Sequence, residues 1–200
     1  MLFFTSLISF SADFIAGQDY QIMGSGDAKI GGSPVNVIEF FSFGCPWCYR
    51  LEPALNAWVN QQGTKIHFKK VPVIFNKDWD FYARAYYTAL AISLNSKLNP
   101  VLFKAILDNK KALNSNETMV AFLAKNGVDL AVAQSAFNHS PSIDLNIATS
   151  QRLMANYHIA AVPAFVVNNQ YKTDLQMAKT EKRLFAILDF LLTQAERKKA

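Results

Sequence analysis

The sequence predicts an α/β fold in which a block of helices interrupts a sheet-forming frame. Residues 35–43 form an apolar run rich in β-branched and aromatic side chains, which is typical of a buried strand. Residues 76–150 show helical periodicity and no convincing strand pattern. Strand signals return at 162–172. The predicted order is therefore strand, helix, strand, helical insert, two strands and a final helix.

The spacing of apolar residues predicts the individual strands and the helix in the first half of the frame. A short strand at 20–23 comes first. A helix at 47–62 has apolar residues at every third or fourth position and ends at Gly63. A strand at 65–75 follows, and the period of two places Lys70 on the same face as two apolar neighbours.

The insert and the second half of the frame continue the pattern. Five helices are predicted in the insert, at 80–94, 100–107, 116–126, 128–137 and 143–157. A strand at 162–167 and a turn at 168–169 lead to a returning strand that begins at 170. A helix at 180–199 closes the chain, with Thr180 as its N-cap.

Three domains follow from these boundaries. Residues 12–75 and 151–200 make up the α/β frame, and residues 76–150 make up the inserted helical domain. Residues 1–11 are interpreted as the remnant of a signal peptide, because about ten apolar residues are too few to span a bilayer. Ser9 and Ser11 are small residues at −3 and −1 of a cut before Ala12. No Lys or Arg precedes this run, so an upstream start or a structured extension remains open.

Composition excludes several classes of function. The 200 residues are 51% hydrophobic, which is enough for a core that needs no disulfide staples. The formal charge of +5 comes without a basic stripe interleaved with aromatics, so we expect no nucleic-acid partner. The histidines His67, His139 and His158 lack ligand spacing, so we expect no metal.

The only two cysteines stand in Cys45-Pro46-Trp47-Cys48, between the predicted strand at 35–43 and the helix that follows it. A helix N-terminus lowers the pKa of a thiol through free N–H groups and the helix dipole. Cys45 is therefore predicted as the nucleophile and the more exposed of the two sulfurs, and Cys48 as its buried partner. Pro46 and Trp47 tune the balance between dithiol and disulfide. Inert buried cysteines and a zinc half-site are the alternatives.

Two further positions are candidate parts of the site. Pro163 can adopt a cis peptide at low energetic cost, which would let Val162 present its backbone to an extended peptide. Glu39 lies in an apolar run six residues before Cys45 and could relay protons to the dithiol from a buried position. Lys70 is its candidate partner. An ordinary edge-strand proline and a solvent-facing Glu39 are the alternatives.

These residues resemble a known family. The segment 37–49 is similar to the active-site segment of the DsbA family of periplasmic thiol:disulfide oxidoreductases, and 161–168 is similar to its cis-proline strand. The resemblance implies a thioredoxin-like fold with an inserted all-helical domain. It implies Cys45 as the attacking sulfur and Glu39 as the buried acid. Family oxidases commonly carry His where this chain has Trp47, which puts the oxidising strength in doubt.

The resemblance also implies a function and partners. We expect an exported, monomeric oxidase that introduces disulfides into unfolded or folding periplasmic proteins with cysteines. We expect no cofactor other than the redox-active disulfide Cys45–Cys48 of the chain itself, and a DsbB-type membrane protein that reoxidises it. A periplasmic reductase or isomerase, a peptide-binding chaperone using the same groove, and an interaction domain with inert cysteines are the competing hypotheses.

Overall fold

The structure is a computed structural model and describes residues 14–23 and 34–197. The signal-peptide interpretation of residues 1–11 lies outside these residues. Within them, no helix combines the length and apolar content needed to cross a bilayer.

A five-stranded mixed sheet forms the frame, in the order β1-β5-β4-β2-β3. The strands are β1 (Gln21–Ile22), β2 (Val35–Phe41), β3 (Ile66–Pro72), β4 (Ala164–Val167) and β5 (Tyr171–Asp174). β2 and β3 are parallel, so a crossover helix must join them, and the other pairs are antiparallel. The predicted α/β fold with a helical insert is confirmed.

Helices cover the sheet and build the insert. Those described are α1 (Pro46–Gln62), α2 (Lys77–Ala91), α3 (Asn95–Phe103), α4 (Asn116–Lys125), α5 (Leu130–His139), α6 (Pro141–Asn156), α7 (Leu175–Ala178) and α8 (Glu181–Arg197). α1 is the crossover between β2 and β3, and α3 continues into a π-helical turn, Lys104–Asp108.

Several predicted bounds shift for identifiable reasons. β3 ends at Pro72 rather than 75, because its partner β2 ends at Phe41, which pairs with Pro72; the last bond runs from the amide of Val73 to the carbonyl of Phe41 at 2.8 Å. α2 begins at Lys77 rather than 80, because the Asn76 side chain accepts the amide of Trp79 and caps the helix. α3 begins at Asn95 rather than 100, so Pro100 lies in its interior and not in its first turn.

β2 leads into the Cys45–Cys48 segment, and both of its faces are buried. Val35 and Val37 pack in the cluster formed with α1 and α8. Phe40 packs on the opposite face, in a cluster with β3 and β4. Phe41, at the end of the strand, contacts the core of the insert. Because side chains alternate along a strand, Glu39 shares the α1 face with Val35 and Val37.

α6 belongs to both parts of the chain. Ile143 and Ile147 are in the core of the insert, whereas Leu153 and Tyr157 pack against the sheet. The predicted domain boundary at 150 therefore falls within a continuous helix, and the C-terminal turns of α6 lead directly into the loop before β4.

Candidate active site

Cys45 caps the N-terminus of α1 immediately after β2. Its extended backbone conformation, φ −97° and ψ 113°, is that of an N-cap residue. The amide of Cys48 donates to Cys45 Sγ at 3.3 Å. Ser42 shapes the preceding loop, since its Oγ accepts the amide of Gly44 at 3.1 Å and its carbonyl accepts the amide of Cys45 at 3.0 Å. The sulfur thus occupies the place where a side-chain oxygen usually caps a helix.

The two thiols have opposite pKa shifts. The hydrogen bond from the Cys48 thiol lowers the pKa of Cys45 to about 7 against the effect of burial, and the amides of Cys48 and Trp47 add to the lowering. Burial raises the pKa of Cys48 well above its ordinary value, and the charges of Cys45 and Glu39 add to that. Cys45 is 5% exposed and Cys48 is fully buried. The predicted order of exposure is confirmed.

The cis-proline loop meets the dithiol. The Val162–Pro163 peptide is cis, as predicted. The carbonyl of Val162 lies 3.4 Å from Cys45 Sγ and accepts its S–H. Two segments separated by more than a hundred residues therefore form one surface. Backbone groups at 162 are placed beside the reactive sulfur, where an extended client segment would lie.

Trp47 forms one wall of a cavity beside this loop. It is 57% exposed, and the Arg50 guanidinium stacks over its ring with the Cζ atom 4.9 Å from the ring centroid. The cavity has a volume of about 440 Å³ and also contacts Val162, Pro163 and Leu175. Pro46 is at the first helical position, where its missing N–H is no loss.

Glu39 and Lys70 are neighbours under the dithiol. Glu39 is fully buried, and Lys70 pairs with it in the β2–β3 register. Lys70 Nζ lies 3.1 Å from Glu39 Oε2. Glu39 is therefore not a solvent-facing edge residue. Neither of its carboxylate oxygens has a well-aligned hydrogen-bond donor among the described residues.

The sequence reasoning missed a second carboxylate on the same lysine. Glu52, on α1, forms an ion pair and a hydrogen bond with Lys70 Nζ. Its position was readable from helical spacing, because Glu52 follows Cys48 by four residues and so lies on the same face of α1. The ammonium group of Lys70 thus pairs with the carboxylates of Glu39 and Glu52, below the buried sulfur of Cys48.

This arrangement sets the pKa of both partners. Burial raises the pKa of Glu39 to about 7, although the ammonium of Lys70 lowers it; the Glu52 carboxylate raises it further. Burial lowers the pKa of Lys70, but the two carboxylates outweigh this, so its net shift is upward. Glu39 can therefore gain or lose a proton near neutral pH while Lys70 stays charged.

Gly44 and Trp79 form a contact that spacing alone did not reveal. A Cβ at Gly44 would lie 2.3 Å from Trp79 Nε1, so only glycine fits there. Phe75 stacks on the Trp79 ring at a centroid distance of 5.4 Å. Trp79 therefore supports the loop that leads into Cys45.

Comparisons with known proteins agree with this geometry. The family model described as Thioredoxin matches residues 22–189. The thiol:disulfide interchange protein DsbA of Burkholderia cepacia is 36% identical over 185 residues, which is 92% of this chain and 87% of that protein. The protein of that name from Azotobacter vinelandii is 30% identical over 183 residues, 92% of this chain and 85% of that protein.

Solved structures match over the same span. The crystal structure of Pseudomonas aeruginosa DsbA superposes with a TM-score of 0.85 at 27% identity, covering 92% of this chain and 95% of that one. The chain belongs to the DsbA family. It is a thiol:disulfide oxidoreductase that introduces disulfide bonds, and its fold is the thioredoxin fold with a helical insertion.

Titration of Cys45 tests the electrostatics of this DsbA-family site. The alkylation rate of the reduced protein should rise with a midpoint at pH about 7, compared with about 8.5 for an unperturbed thiol. Cys48→Ala removes the thiol hydrogen bond that is the main cause, so its midpoint should move upward toward that unperturbed value. Mass spectrometry of the alkylated peptides measures this. A midpoint of 8.5 or more for the wild-type protein, or the same midpoint in Cys48→Ala, would contradict a Cys45 pKa that the Cys48 thiol lowers.

Replacement of Glu39 should change the pH dependence of stability. Its folded-state pKa of about 7 exceeds the unfolded value of about 4.3, so wild-type protein loses free energy of unfolding as pH rises through 7. Glu39→Gln removes this loss. The free energy of unfolding of the variant, minus that of wild type, should therefore increase by about 1–3 kcal/mol from pH 4.5 to pH 8.

Urea denaturation of the reduced proteins at both pH values measures the gain. The same substitution at the exposed Glu196 gives the effect of removing a surface carboxylate. An equal response of the two variants would show that Glu39 ionises as a surface group does.

Proposed function

We propose that the Cys45–Cys48 pair is the redox centre and that it oxidises pairs of cysteines in exported proteins within the periplasm. The observation that carries this proposal is the position of Cys45 Sγ. It caps α1, its pKa is lowered to about 7, and it lies 3.4 Å from the Val162 carbonyl of the cis peptide. In the disulfide, a sulfur in this place is open to attack by a client thiolate. In the mixed disulfide, it is a good leaving group.

In the first step, a client thiolate attacks Cys45 Sγ of the disulfide. The S–S bond breaks, a mixed disulfide forms through Cys45, and Cys48 leaves as a thiolate. Attack falls on Cys45 because Cys48 is fully buried. The raised pKa of Cys48 means that it takes up a proton. Glu39, which titrates near neutrality beside Lys70, supplies that proton and regains one from solvent.

In the second step, the other client thiolate attacks the client sulfur of the mixed disulfide. The bond to Cys45 breaks, and Cys45 leaves as a thiolate that its lowered pKa stabilises. The client loses two electrons and two protons, and the enzyme gains both electrons. One proton stays on Cys48, and the other passes to solvent while Cys45 remains ionised.

The partners follow from this electron balance. Each turnover leaves a dithiol, so an oxidant must accept two electrons before the next one. A membrane protein of the DsbB type is the proposed acceptor. We also propose that the enzyme acts as a monomer, since one chain supplies both cysteines and the cis-proline loop. The proposed periplasmic location rests on the apolar N-terminal run and on membership of the DsbA family.

Oxidation of a reduced, unfolded secreted protein tests the proposal. The oxidised full-length chain should accelerate disulfide formation, measured by trapping free thiols over time. Cys45→Ser and Cys48→Ser should both be inactive, because neither variant can form the Cys45–Cys48 disulfide that accepts the two electrons of the client. In a deletion strain, restoration of exported disulfides by Cys45→Ala would refute the redox role.

The residue between the cysteines should set the oxidising strength. A histidine cation at position 47 would stabilise the Cys45 thiolate, so Trp47→His should lower the pKa of Cys45 and make the disulfide more oxidising. Each pKa unit is worth about tenfold in stability of the thiolate form, or about 30 mV for the two-electron couple. Equilibration with glutathione redox buffers measures the potential.

Trp47→Phe is the matched control. It keeps an aromatic ring for Arg50 to stack on and adds no titratable group, so its potential should stay close to that of wild type. A more reducing Trp47→His protein, or equal shifts in both variants, would show that charge at this position does not control the potential.

A further inference from the structure

A second cavity adjoins the one that Trp47 lines. It has a volume of about 610 Å³, and the two cavities share Ala161, Asp174 and Lys179. It extends away from the cis-proline loop to His158, at the end of α6. A client segment that leaves the cysteine pair along this loop can therefore continue into the second cavity.

Lys172 lies in the wall of this second cavity and is itself buried. The residue is on β5 and is only 8% exposed. Its Nζ donates to the carbonyls of Tyr157 at 3.1 Å and His158 at 3.0 Å. An ammonium group carries three donors, so these two bonds leave one for a ligand. Burial lowers the pKa of Lys172, although the charge of Asp174 raises it. A bound anion would offset this cost of burial.

The titratable groups in the cavity wall favour an anion. They are His158, Lys172, Asp174 and Lys179. Asp174 is the only carboxylate among them, and its Oδ1 already accepts the amide of Met177 at 2.8 Å as the N-cap of α7. The two lysines therefore leave the cavity with an excess of positive charge.

The distance to the dithiol sets where on the client such an anion would lie. A client sulfur bonded to Cys45 lies beside Val162, whose carbonyl is 3.4 Å from Cys45 Sγ. His158, whose carbonyl holds Lys172, precedes Val162 by four residues. Four residues of fully extended chain span about 13 Å at about 3.3 Å per residue, which is an upper limit because the chain bends at Ala161 and Val162. The side chains at the two ends add to this reach, so three to five client residues span the gap.

The geometry points to Lys172 as a binding site for a carboxylate that the client carries three to five residues from its reacting cysteine. This inference rests on the proposed function and adds a substrate preference to it. An aspartate or glutamate side chain and a free C-terminal carboxylate share the required chemistry. The enzyme would then oxidise cysteines with an acidic neighbour at this spacing faster than the same cysteines without one.

A glutamate scan of single-cysteine peptides tests the site. Each peptide carries Glu or Gln at one position, up to six residues on either side of the cysteine, with a free or an amidated C-terminus. The measured quantity is the rate constant for mixed-disulfide formation with the oxidised full-length chain. We expect a Glu/Gln ratio of about 3 to 10 at three to five residues on one side, because only the carboxylate forms a charge-assisted hydrogen bond with Lys172, and solvent and salt weaken that bond.

Variants separate binding from support of the fold. Lys172→Met should bring the ratio to about 1, and Lys172→Arg should keep part of it. A lysine that only holds the end of α6 would slow both peptides alike and leave the ratio unchanged. Lys69→Met, at an exposed lysine of β3, is the matched control and should keep the wild-type ratio.

The outcomes are distinct. A ratio that survives Lys172→Met, or a scan with no preferred position, overturns the carboxylate site. Failure of every peptide to react would instead refute the proposed function. If Lys172→Met does not fold, the wild-type ratio decides: it must fall toward 1 between about 0.05 and about 0.5 M salt, because screening shortens the range of the charge interaction. A free C-terminus that replaces glutamate at the preferred spacing identifies the terminal carboxylate as an equivalent ligand.

Discussion

The chemistry of this protein depends on one contact, the cap that Cys45 Sγ forms on the first turn of α1. An ordinary N-cap oxygen accepts backbone N–H groups and has no further role. A sulfur in the same place gains acidity from those donors. The strand–loop–helix geometry that positions Cys45 also brings to it the Cys48 thiol, which is the main cause of its lowered pKa, and the amides of Cys48 and Trp47, which add to the lowering. Loss of the cap would remove the nucleophile and the helix start together.

The charged groups below the dithiol provide a proton donor for the buried sulfur of Cys48. In the proposed mechanism, every exchange makes a thiolate at Cys48, in a place with no access to water. Glu39 lies under the pair with its pKa raised to about 7, and Lys70 with Glu52 keeps the buried region from carrying an unpaired charge. Burying Glu39 and partly burying Lys70 and Glu52 costs free energy of folding, and such costs are typical of a site that must move protons.

The groove around the cis-proline loop is assembled from elements that are far apart in sequence. Trp47 comes from α1, the loop from the segment after α6, and Lys172 from β5. α6 links them, because one end packs in the insert and the other leads into the loop. The helical insert thus supports the surface around the cis-proline loop.

Much of the site was determined by local sequence. The spacing Cys45-Pro46-Trp47-Cys48 after a buried strand specifies a dithiol at a helix start, and the α1 spacing from Cys48 already contained Glu52, although it was overlooked. The ion pair between Glu39 and Lys70, the contact of Gly44 with Trp79, and the approach of Val162 to Cys45 were decided only by the tertiary structure. Local periodicity reports which face of an element a side chain occupies, but strand register and long-range packing decide what that face meets.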